Sequence, residues 1–167
     1  YSLLYDNWIL NSSKKATETF GGIEFTLSNG GTTGGNIKGA NYKRLIKSDF
    51  STPRLTMDGA VISDATSGGV IKLEIKGLAE GSHTLTTWHS FFDNVTGSSV
   101  SVYVDGEKKV SNINVPTRIS DDNDAGIGFC EFNAKNGKTV TVLIVPDGNG
   151  EYDNAVLNAF EIDSVNP

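Results

Sequence analysis

Aromatic, imidazole and amide side chains are concentrated in residues Trp88–Asn94, which read Trp-His-Ser-Phe-Phe-Asp-Asn. The rings offer flat apolar surfaces, while the imidazole and the amide offer hydrogen-bond donors and acceptors. A sugar ring needs both kinds of contact, because one of its faces is apolar and its hydroxyls require polar partners. The segment therefore favours a sugar-binding surface over a catalytic centre.

Trp88 is the main candidate for stacking on a sugar ring. It follows an alternating run in which Leu85 and Thr87 share one face. If Leu85 faces the core, Trp88 lies on the opposite face beside a loop, where its indole is a stacking platform. The alternative is that Trp88 fills a second covered face of the sheet.

Three further residues of this segment complete one half of the predicted site. His89 and Asn94 are candidate hydrogen-bond partners of hydroxyls, and Phe91 is a candidate second wall. Because neighbouring residues of a strand point to opposite faces, Phe91 and Phe92 cannot both point inward from one strand. One of them is expected to be an exposed contact or a loop anchor.

A polar loop before the last predicted strand supplies the other half of the site. It ends in Tyr152, Asp153 and Asn154, which could stack on a sugar and hydrogen-bond its hydroxyls. Asp, Asn and Gly are also the ordinary residues of turns, so a solvated turn is the alternative.

The same loop has the spacing of a calcium loop. Asp147, Asn149 and Glu151 occupy every second position, and Asp153 continues the pattern. The loop lacks the glycine at the sixth position and the glutamate at the twelfth that an EF-hand requires. A structural Ca²⁺ ion is an option here, although the predicted function requires no cofactor.

A small basic cluster could recognise an acidic sugar. It contains Tyr42 and Lys43, and Arg54 follows it along the chain. Arginine pairs bidentately with carboxylates, so Arg54 or Lys43 could contact a uronate. The alternative is a solvated loop whose long aliphatic stems lie along the surface.

Composition limits the classes of function. The chain has 167 residues, 37% hydrophobic and 20% charged, which fits a single domain over residues 1–167 with 164–167 as a candidate linker. Its 14 Lys and Arg against 20 Asp and Glu give a net charge of −6, which argues against nucleic acid as a partner. No apolar run approaches the ~20 residues of a membrane helix, so no membrane insertion is expected.

Cys130 is the only cysteine, so no internal disulfide can form, and we expect it to be buried.

Familiar enzyme motifs are missing. Residues Gly30–Gly35 have the spacing of a phosphate-binding loop, but Asn36 stands where lysine is required. No His-Glu-x-x-His, Gly-x-Ser-x-Gly or paired Cys-x-x-Cys motif occurs. A glycosidase needs two carboxylates in one cleft, and the sequence shows no tight pair. We therefore expect no catalytic residues.

Short alternating runs between turn residues predict an all-β domain of about eight to ten strands, an antiparallel β-sandwich of the jelly-roll type. The expected strands include Gly22–Ser28, Gly69–Lys76, a strand from Ser82, Ser99–Val104, Gly126–Asn133, Lys138–Val145 and Ala155–Ile162.

Turn dipeptides and apolar runs add detail to this scheme. Asp58-Gly59 and Asp105-Gly106 are predicted turns. Ala134–Gly137 is predicted to close a hairpin between the two strands that flank it. Ala155–Ile162 is apolar on both faces, which predicts a central strand.

Three phrases in the chain resemble one family. They are Ile75–Thr86 (Ile-Lys-Gly-Leu-Ala-Glu-Gly-Ser-His-Thr-Leu-Thr), Val102–Gly106 (Val-Tyr-Val-Asp-Gly) and Ala155–Ile162 (Ala-Val-Leu-Asn-Ala-Phe-Glu-Ile). In pattern and order, over roughly Leu55–Asp163, they resemble malectin-like and other galactose-binding-like carbohydrate-binding modules. Such modules are β-sandwich jelly rolls, often appended to extracellular polysaccharide-degrading enzymes, including bacterial pectin lyases.

The resemblance implies a sugar site in the loops at one end of the sandwich. In such modules an aromatic residue on a middle loop and a polar residue just before the last strand hold the sugar. By position, Trp88 matches the first role, and Asp153 or Asn154 matches the second. The chain lacks the early-loop tyrosine cluster of malectin, with only Tyr42 nearby, so malectin's disaccharide specificity is not carried over.

We therefore expect a non-catalytic module that targets an appended catalytic domain to a polysaccharide or oligosaccharide, pectic or otherwise uronate-containing. The resemblance implies a secreted bacterial protein, in the periplasm, at the cell surface or outside the cell, and we expect a monomer. Two alternatives stay open. One is a structural accessory domain whose aromatic residues pack on a catalytic domain, and the other is a small jelly-roll lyase or glycosidase.

Overall fold

The computed structural model describes residues 12–13, 15–31, 36–41, 56, 58–62, 69–92, 97, 99–117, 119, 121–148 and 154–163, and the structural account is confined to them. These residues form thirteen strands and one 3₁₀ turn, Asp122–Asp124. The strands are β1 (Ser12–Ser13), β2 (Lys15–Phe20), β3 (Ile23–Asn29), β4 (Ile37–Asn41), β5 (Asp58–Ile62), β6 (Ile71–Lys76), β7 (Gly81–His89), β8 (Ser99–Val104), β9 (Glu107–Asn114), β10 (Gly126–Ala134), β11 (Val140–Pro146), β12 (Ala155–Leu157) and β13 (Ala159–Ile162).

The strands pair into three antiparallel sheets. The largest has the order β2-β3-β6-β11-β8-β9, and the other two have the orders β10-β7-β13 and β1-β4-β5-β12. The predicted fold class, an all-β antiparallel sandwich of the jelly-roll type, is confirmed.

Period-two alternation fills the space between the sheets. Ile71, Leu73 and Ile75 of β6 are fully buried, whereas the charged residues between them are partly exposed. The ring of Phe25 on β3 lies 5.3 Å from the ring of Phe160 on β13, centroid to centroid. This contact joins the six-stranded sheet to the three-stranded sheet across one hydrophobic core.

The structure confirms one predicted turn and contradicts one predicted hairpin. The Asp105-Gly106 turn is confirmed, with positive φ angles of 48° and 83° at its two residues. The hairpin around Ala134–Gly137 is wrong, because β10 pairs with β7 while β11 pairs with β6 and β8. An alternating strand buries one face equally well in either sheet, so periodicity alone did not distinguish a hairpin from a crossover.

Two further predictions near the last strand are also wrong. Asp58-Gly59 is not a turn but the start of β5, where it pairs with Asn41 and Ala40 of β4. The run Ala155–Ile162 is not one central strand. It breaks at Asn158 into β12 and β13, each at the end of its sheet's described order.

The antiparallel register gives the sandwich two unlike ends. The turn end holds the connections 21–22, 77–80, 105–106 and 135–139. The loop end holds the strand termini Asn29, Ile71, His89, Ser99, Gly126 and Pro146, which the pairing of neighbouring strands brings together. Strand β7 therefore delivers Trp88 and His89 to the loop end.

Candidate functional site

Trp88 lies in the central strand of the three-stranded sheet, on the face turned away from the core. Its inward neighbours Leu85 and Thr87 are 1% exposed, whereas Trp88 itself is partly exposed. The Trp88 carbonyl accepts a 2.9 Å hydrogen bond from the Asn158 backbone N–H. The predicted placement of Trp88, outward and beside the loop end, is what the structure shows. Its predicted role in stacking stays a prediction.

His89 points inward and has no exposed surface. Its Nδ1–H donates to the Val156 carbonyl at 2.7 Å, and its Nε2 accepts from the Thr87 hydroxyl at 2.8 Å. Burial lowers the pKa of His89 to about 4, against the smaller opposing effect of the Val156 carbonyl. A neutral imidazole with both nitrogens engaged inside the core cannot contact a sugar in this arrangement. The structure gives His89 a role in joining β7 to β12 instead.

Phe91 and Phe92 are both buried, at 0% and 1% exposure. The prediction that one of them would be an exposed contact is wrong, because it assumed that they continued a strand and β7 ends at His89. Beyond that point strict alternation no longer holds. The Phe91 N–H donates to the Pro116 carbonyl at 2.8 Å, so Phe91 anchors the chain as it leaves β7. Its burial leaves no surface for a second sugar-binding wall.

One described residue from each of the two segments predicted to form the site, Phe91 and Asn154, approaches Gly97 at the loop end. A Cβ built on Gly97 would lie 2.6 Å from Phe91 Cζ and 3.5 Å from the Asn154 carbonyl oxygen. Gly97 therefore lies between the Phe91 ring and the residue that precedes β12. Asn154 itself is buried, at 8% exposure, so most of its surface faces protein.

A buried amide, Asn158, organises the backbone behind Trp88. Its Oδ1 accepts from the Ser90 N–H at 2.7 Å, and its Nδ2 donates to the Asp58 carbonyl at 2.9 Å. Asn158 has no exposed surface. Sequence reasoning missed this residue, although a polar residue inside an apolar run is the signal that could have identified it.

A second bridge links Thr56, two residues before β5, to the 3₁₀ turn, and the Thr56 carbonyl also accepts from Asn158 Nδ2 at 3.4 Å. Asp122 Oδ1 accepts from both the backbone N–H and the hydroxyl of Thr56, at 3.1 and 2.9 Å. Thr56 is fully buried. The strands around Trp88 are therefore tied together by polar groups as well as by apolar packing.

Asp147, the described member of the predicted calcium loop, binds two serines. Its carboxylate oxygens accept from the Ser99 hydroxyl at 2.9 Å and the Ser101 hydroxyl at 2.6 Å. Its N–H also donates to the Ser99 carbonyl at 2.9 Å. These contacts fasten the start of β8 to the end of β11. Among the described residues, no cluster of three or more His, Cys, Asp or Glu could hold a metal ion.

Several predicted site residues lie outside the described residues. They are Tyr42, Lys43, Arg54, Asn94, Asn149, Glu151, Tyr152 and Asp153. The lone thiol, Cys130, is buried as expected, and burial raises its pKa. None of the described residues forms a helix long and apolar enough to cross a bilayer.

Strand register adds outward residues to the site that sequence reasoning did not name. Trp88 is paired with Ile127 on β10 and Ala159 on β13, and Thr86 is paired with Phe129 and Glu161. Directly paired residues of an antiparallel ladder share a face. Alternation along β10 could have shown that Phe129 points outward, but only the pairing shows that it lies beside Trp88.

No protein-family model matches the chain, and no curated protein sequence matches it. Among solved structures, a CBM35 module from Paenibacillus barcinonensis aligns over 84% of this chain and 98% of its own, with 14% identity and a TM-score of 0.45. A family GH115 4-O-methyl-alpha-glucuronidase with specificity for decorated arabinogalactans aligns over 76% of this chain and 18% of its own, with 13% identity and a TM-score of 0.38. The CBM22-1 xylan-binding domain of Paenibacillus barcinonensis Xyn10C aligns over 92% and 86%, with 10% identity and a TM-score of 0.33. All three TM-scores are below 0.5, so no family is assigned from them, and the malectin-like resemblance stays a prediction.

Proposed function

We propose that the chain is a carbohydrate-binding module in which Trp88 stacks on a sugar ring. The observation that supports this most is the placement of Trp88, a partly exposed indole on an outward strand face beside the loop end. A soluble domain gains little from leaving an indole partly in water, and aromatic side chains on such faces are typical of binding surfaces.

The rigidity of the backbone behind Trp88 also supports the proposal. The Trp88 carbonyl is held by Asn158, and the next two residues are held by Val156 and by the Asn158 side chain. A platform whose backbone is already fixed loses little conformational entropy when a ligand binds. The interior hydrogen bonds of His89 and Asn158 thus favour recognition at the surface without contacting the ligand.

The proposal also covers the location of the protein and the domain to which it is joined. We infer that the module directs an appended polysaccharide-degrading enzyme to its substrate outside the cell, and that residues 1–167 fold as one domain. The resemblance of Ile75–Thr86, Val102–Gly106 and Ala155–Ile162 to galactose-binding-like modules supports this. A Ca²⁺ ion bound near Asp147 would have a structural role. Calorimetric titration with Ca²⁺ would test this binding directly.

The proposal is tested by affinity electrophoresis and calorimetry on a panel of plant, algal and host polysaccharides. Binding is expected for at least one, and Trp88→Ala should weaken it roughly five- to 150-fold, by analogy with the range for a nucleic-acid base stacked on an aromatic side chain. Phe20→Ala is the matched control, since Phe20 is a 37% exposed aromatic residue at the turn end. Absence of binding to every polysaccharide, or full affinity in Trp88→Ala, would refute the proposal.

One observation favours a hydrolytic function as the second candidate. Glu131 and Glu161 lie on the outward face on either side of β7, paired with Thr84 and Thr86. Glycosidases place two carboxylates on either side of the bond that they break. Release of reducing ends from a bound polysaccharide, abolished in Glu131→Gln, would favour this function. We expect no release.

A further inference from the structure

The outward surface of the three-stranded sheet forms one face, which we call the β7 face. It comprises Ile127, Phe129 and Glu131 from β10, Thr84, Thr86 and Trp88 from β7, and Ala159 and Glu161 from β13. The inward residues that alternate with them, such as Leu85 and Phe160, belong to the core.

Two aromatic residues stand next to each other on this face. Trp88 is paired with Ile127, and Phe129 lies two residues further along β10, which makes Phe129 the diagonal neighbour of Trp88. Diagonal neighbours in an antiparallel ladder are about 7–8 Å apart. Both rings are partly exposed, while Thr86 between them is 1% exposed. The larger side chains around Thr86 therefore form the surface that a ligand would meet.

The charges on the β7 face all have one sign. Glu131 and Glu161 are charged, and the other six residues of the face are neutral. A uronate brought onto this face would place its carboxylate near two like charges, which is unfavourable. A neutral sugar can instead donate its hydroxyl hydrogens to the same carboxylates, because an ionised carboxylate only accepts hydrogen bonds.

We propose that the β7 face selects neutral glycans over uronate-containing ones, with Phe129 as a second stacking residue and Glu161 as an acceptor of hydroxyl hydrogen bonds. The proposal rests on the function proposed above and specifies the class of ligand at the same site. It differs from the sequence-based expectation of a pectic or other uronate ligand contacted by Arg54 or Lys43, which lie outside the described residues.

The test uses polysaccharide pairs in which one member carries uronate carboxylates and the other does not. Glucan, galactan and mannan are each compared with their C6-oxidised uronate forms. Polygalacturonate and alginate are each compared with their carboxyl-reduced forms, and xylan is compared with and without glucuronate side groups. Dissociation constants are measured at low ionic strength and again at about 1 M salt, where charges are screened beyond ~3 Å.

The neutral member of every bound pair is expected to bind more tightly at low salt, and about 1 M salt should reduce the difference. Glu161→Gln and Glu131→Gln should each improve uronate binding roughly two- to fivefold, the range of an exposed charge contact. Glu74→Gln is the control, since Glu74 points outward from the opposite sheet. Phe129→Ala should weaken neutral binding at least about fivefold, and Phe129→Tyr should retain it.

Each outcome separates the two proposals. Tighter or equal binding of the uronate member overturns charge selection and leaves glycan binding by Trp88 standing. Unchanged neutral binding in Phe129→Ala overturns the second stacking role. Failure of every polymer to bind, neutral or charged, overturns the proposed function, and charge selection with it.

Discussion

The turn end and the loop end of the sandwich use the same residue types for opposite purposes. Among the described residues, the glycines with positive φ all lie at the turn end, as at Gly106 and Gly137, where φ is 83° and 67°. At the loop end glycine provides space instead. A Cβ on Gly69 would collide with Ile62, and one on Gly97 would lie 2.6 Å from the Phe91 ring. The turn end depends on backbone conformation, whereas the loop end depends on close packing.

The only two histidines of the chain show the same contrast. Both point inward from β7, but His83 lies near the turn end and His89 at the loop end. His83 Nδ1 lies 3.0 Å from the Asp163 carboxylate, and its Nε2 lies 2.7 Å from the Ala79 carbonyl. Since both partners only accept, the imidazole donates to both of them only when it is protonated. In His89, Nδ1–H donates to a carbonyl and Nε2 accepts from a hydroxyl, so both nitrogens have partners in the neutral form. Burial keeps His89 neutral.

This difference indicates where a ligand site can be built. A buried neutral network holds the backbone of the loop end rigidly without using surface groups, so the outward side chains above it remain available for recognition. The turn end holds its chain with the His83–Asp163 hydrogen bond near the surface, where the Asp163 side chain is 57% exposed.

The largest expected effect is at Asn158. Asn158→Ala removes the acceptor of the buried Ser90 N–H and a donor to the Asp58 carbonyl. Each buried polar group that loses its partner costs ~1–3 kcal/mol, so the free energy of unfolding should fall by roughly 2–6 kcal/mol. Urea unfolding measures the loss, with the exposed Asn133→Ala as the matched control, expected within about 0.5 kcal/mol of the parent.

Equal unfolding free energies for the Asn158 and Asn133 variants would contradict the view that a buried polar network fixes the loop end. If Asn158→Ala folds, its sugar affinity should also be lower than that of the parent, because the backbone at Ser90, two residues after Trp88, loses its side-chain support.

The next effect is the acid dependence of stability due to His89. Its folded pKa of about 4 lies below the ordinary 6.5, so unfolding takes up a proton between these values. The stabilisation is complete above about pH 6.5 and is lost as pH falls towards 4, by about 3 kcal/mol in total. Urea unfolding from pH 8 to 4 should show a steeper loss in the parent than in His89→Gln.

Histidine NMR signals provide a check that does not depend on the folding of a variant. The chain has two imidazoles, and His83→Asn assigns them. The His89 signal should stay neutral and in the Nδ1–H tautomer down to about pH 5. Titration of His89 near its ordinary pKa would show that it is not enclosed as described.

Alternation and turn chemistry were enough to predict much of the fold. The strand Ser99–Val104 and the following Asp105-Gly106 turn were predicted residue for residue, because period-two burial and a left-handed dipeptide are local properties. Sheet membership is not local. The β10–β11 connection resembled a hairpin because both strands have one apolar face, and the shared core satisfies either arrangement.

The candidate site was less predictable for the same reason. The alternation of buried and exposed residues along β7 predicts that Trp88 points outward. It does not predict that β7 ends at His89. His89 and Phe91 were therefore predicted to contact ligand although they are buried. The partnership of Trp88 with Phe129, like the bridging role of Asn158, depends on residues about 40 and 70 positions away and requires the register itself.

A matched pair of glycine substitutions tests the contrast between the ends. Gly69→Ala should cost about 1–3 kcal/mol because its new methyl meets Ile62 in a packed site. Gly137→Ala should cost about 1–2 kcal/mol because φ is 67°, although no atom lies within 4 Å of the added Cβ. Asparagine separates the causes, since it tolerates left-handed backbone: Gly137→Asn should be milder than Gly137→Ala, and Gly69→Asn harsher than Gly69→Ala. If the alanine and asparagine variants ranked in the reverse order at either site, the proposed difference between the two ends would be contradicted.

The smallest expected effect concerns the His83–Asp163 pair at the turn end. The Ala79 carbonyl, and after it Asp163, raises the pKa of His83 against the lowering effect of burial. The stabilisation is therefore complete below about pH 6.5 and is lost as pH rises through the raised value, opposite in sign to that of His89. Because Asp163 is largely exposed, the change should not exceed ~1 kcal/mol. Asp163→Asn should reduce it by lowering the His83 pKa, as read from the His83 NMR titration, while Asp124→Asn, a change of an exposed carboxylate of the 3₁₀ turn, should not. An unchanged His83 pKa in Asp163→Asn would mean that the Ala79 carbonyl alone holds the imidazolium, and the turn end would then depend on backbone groups only.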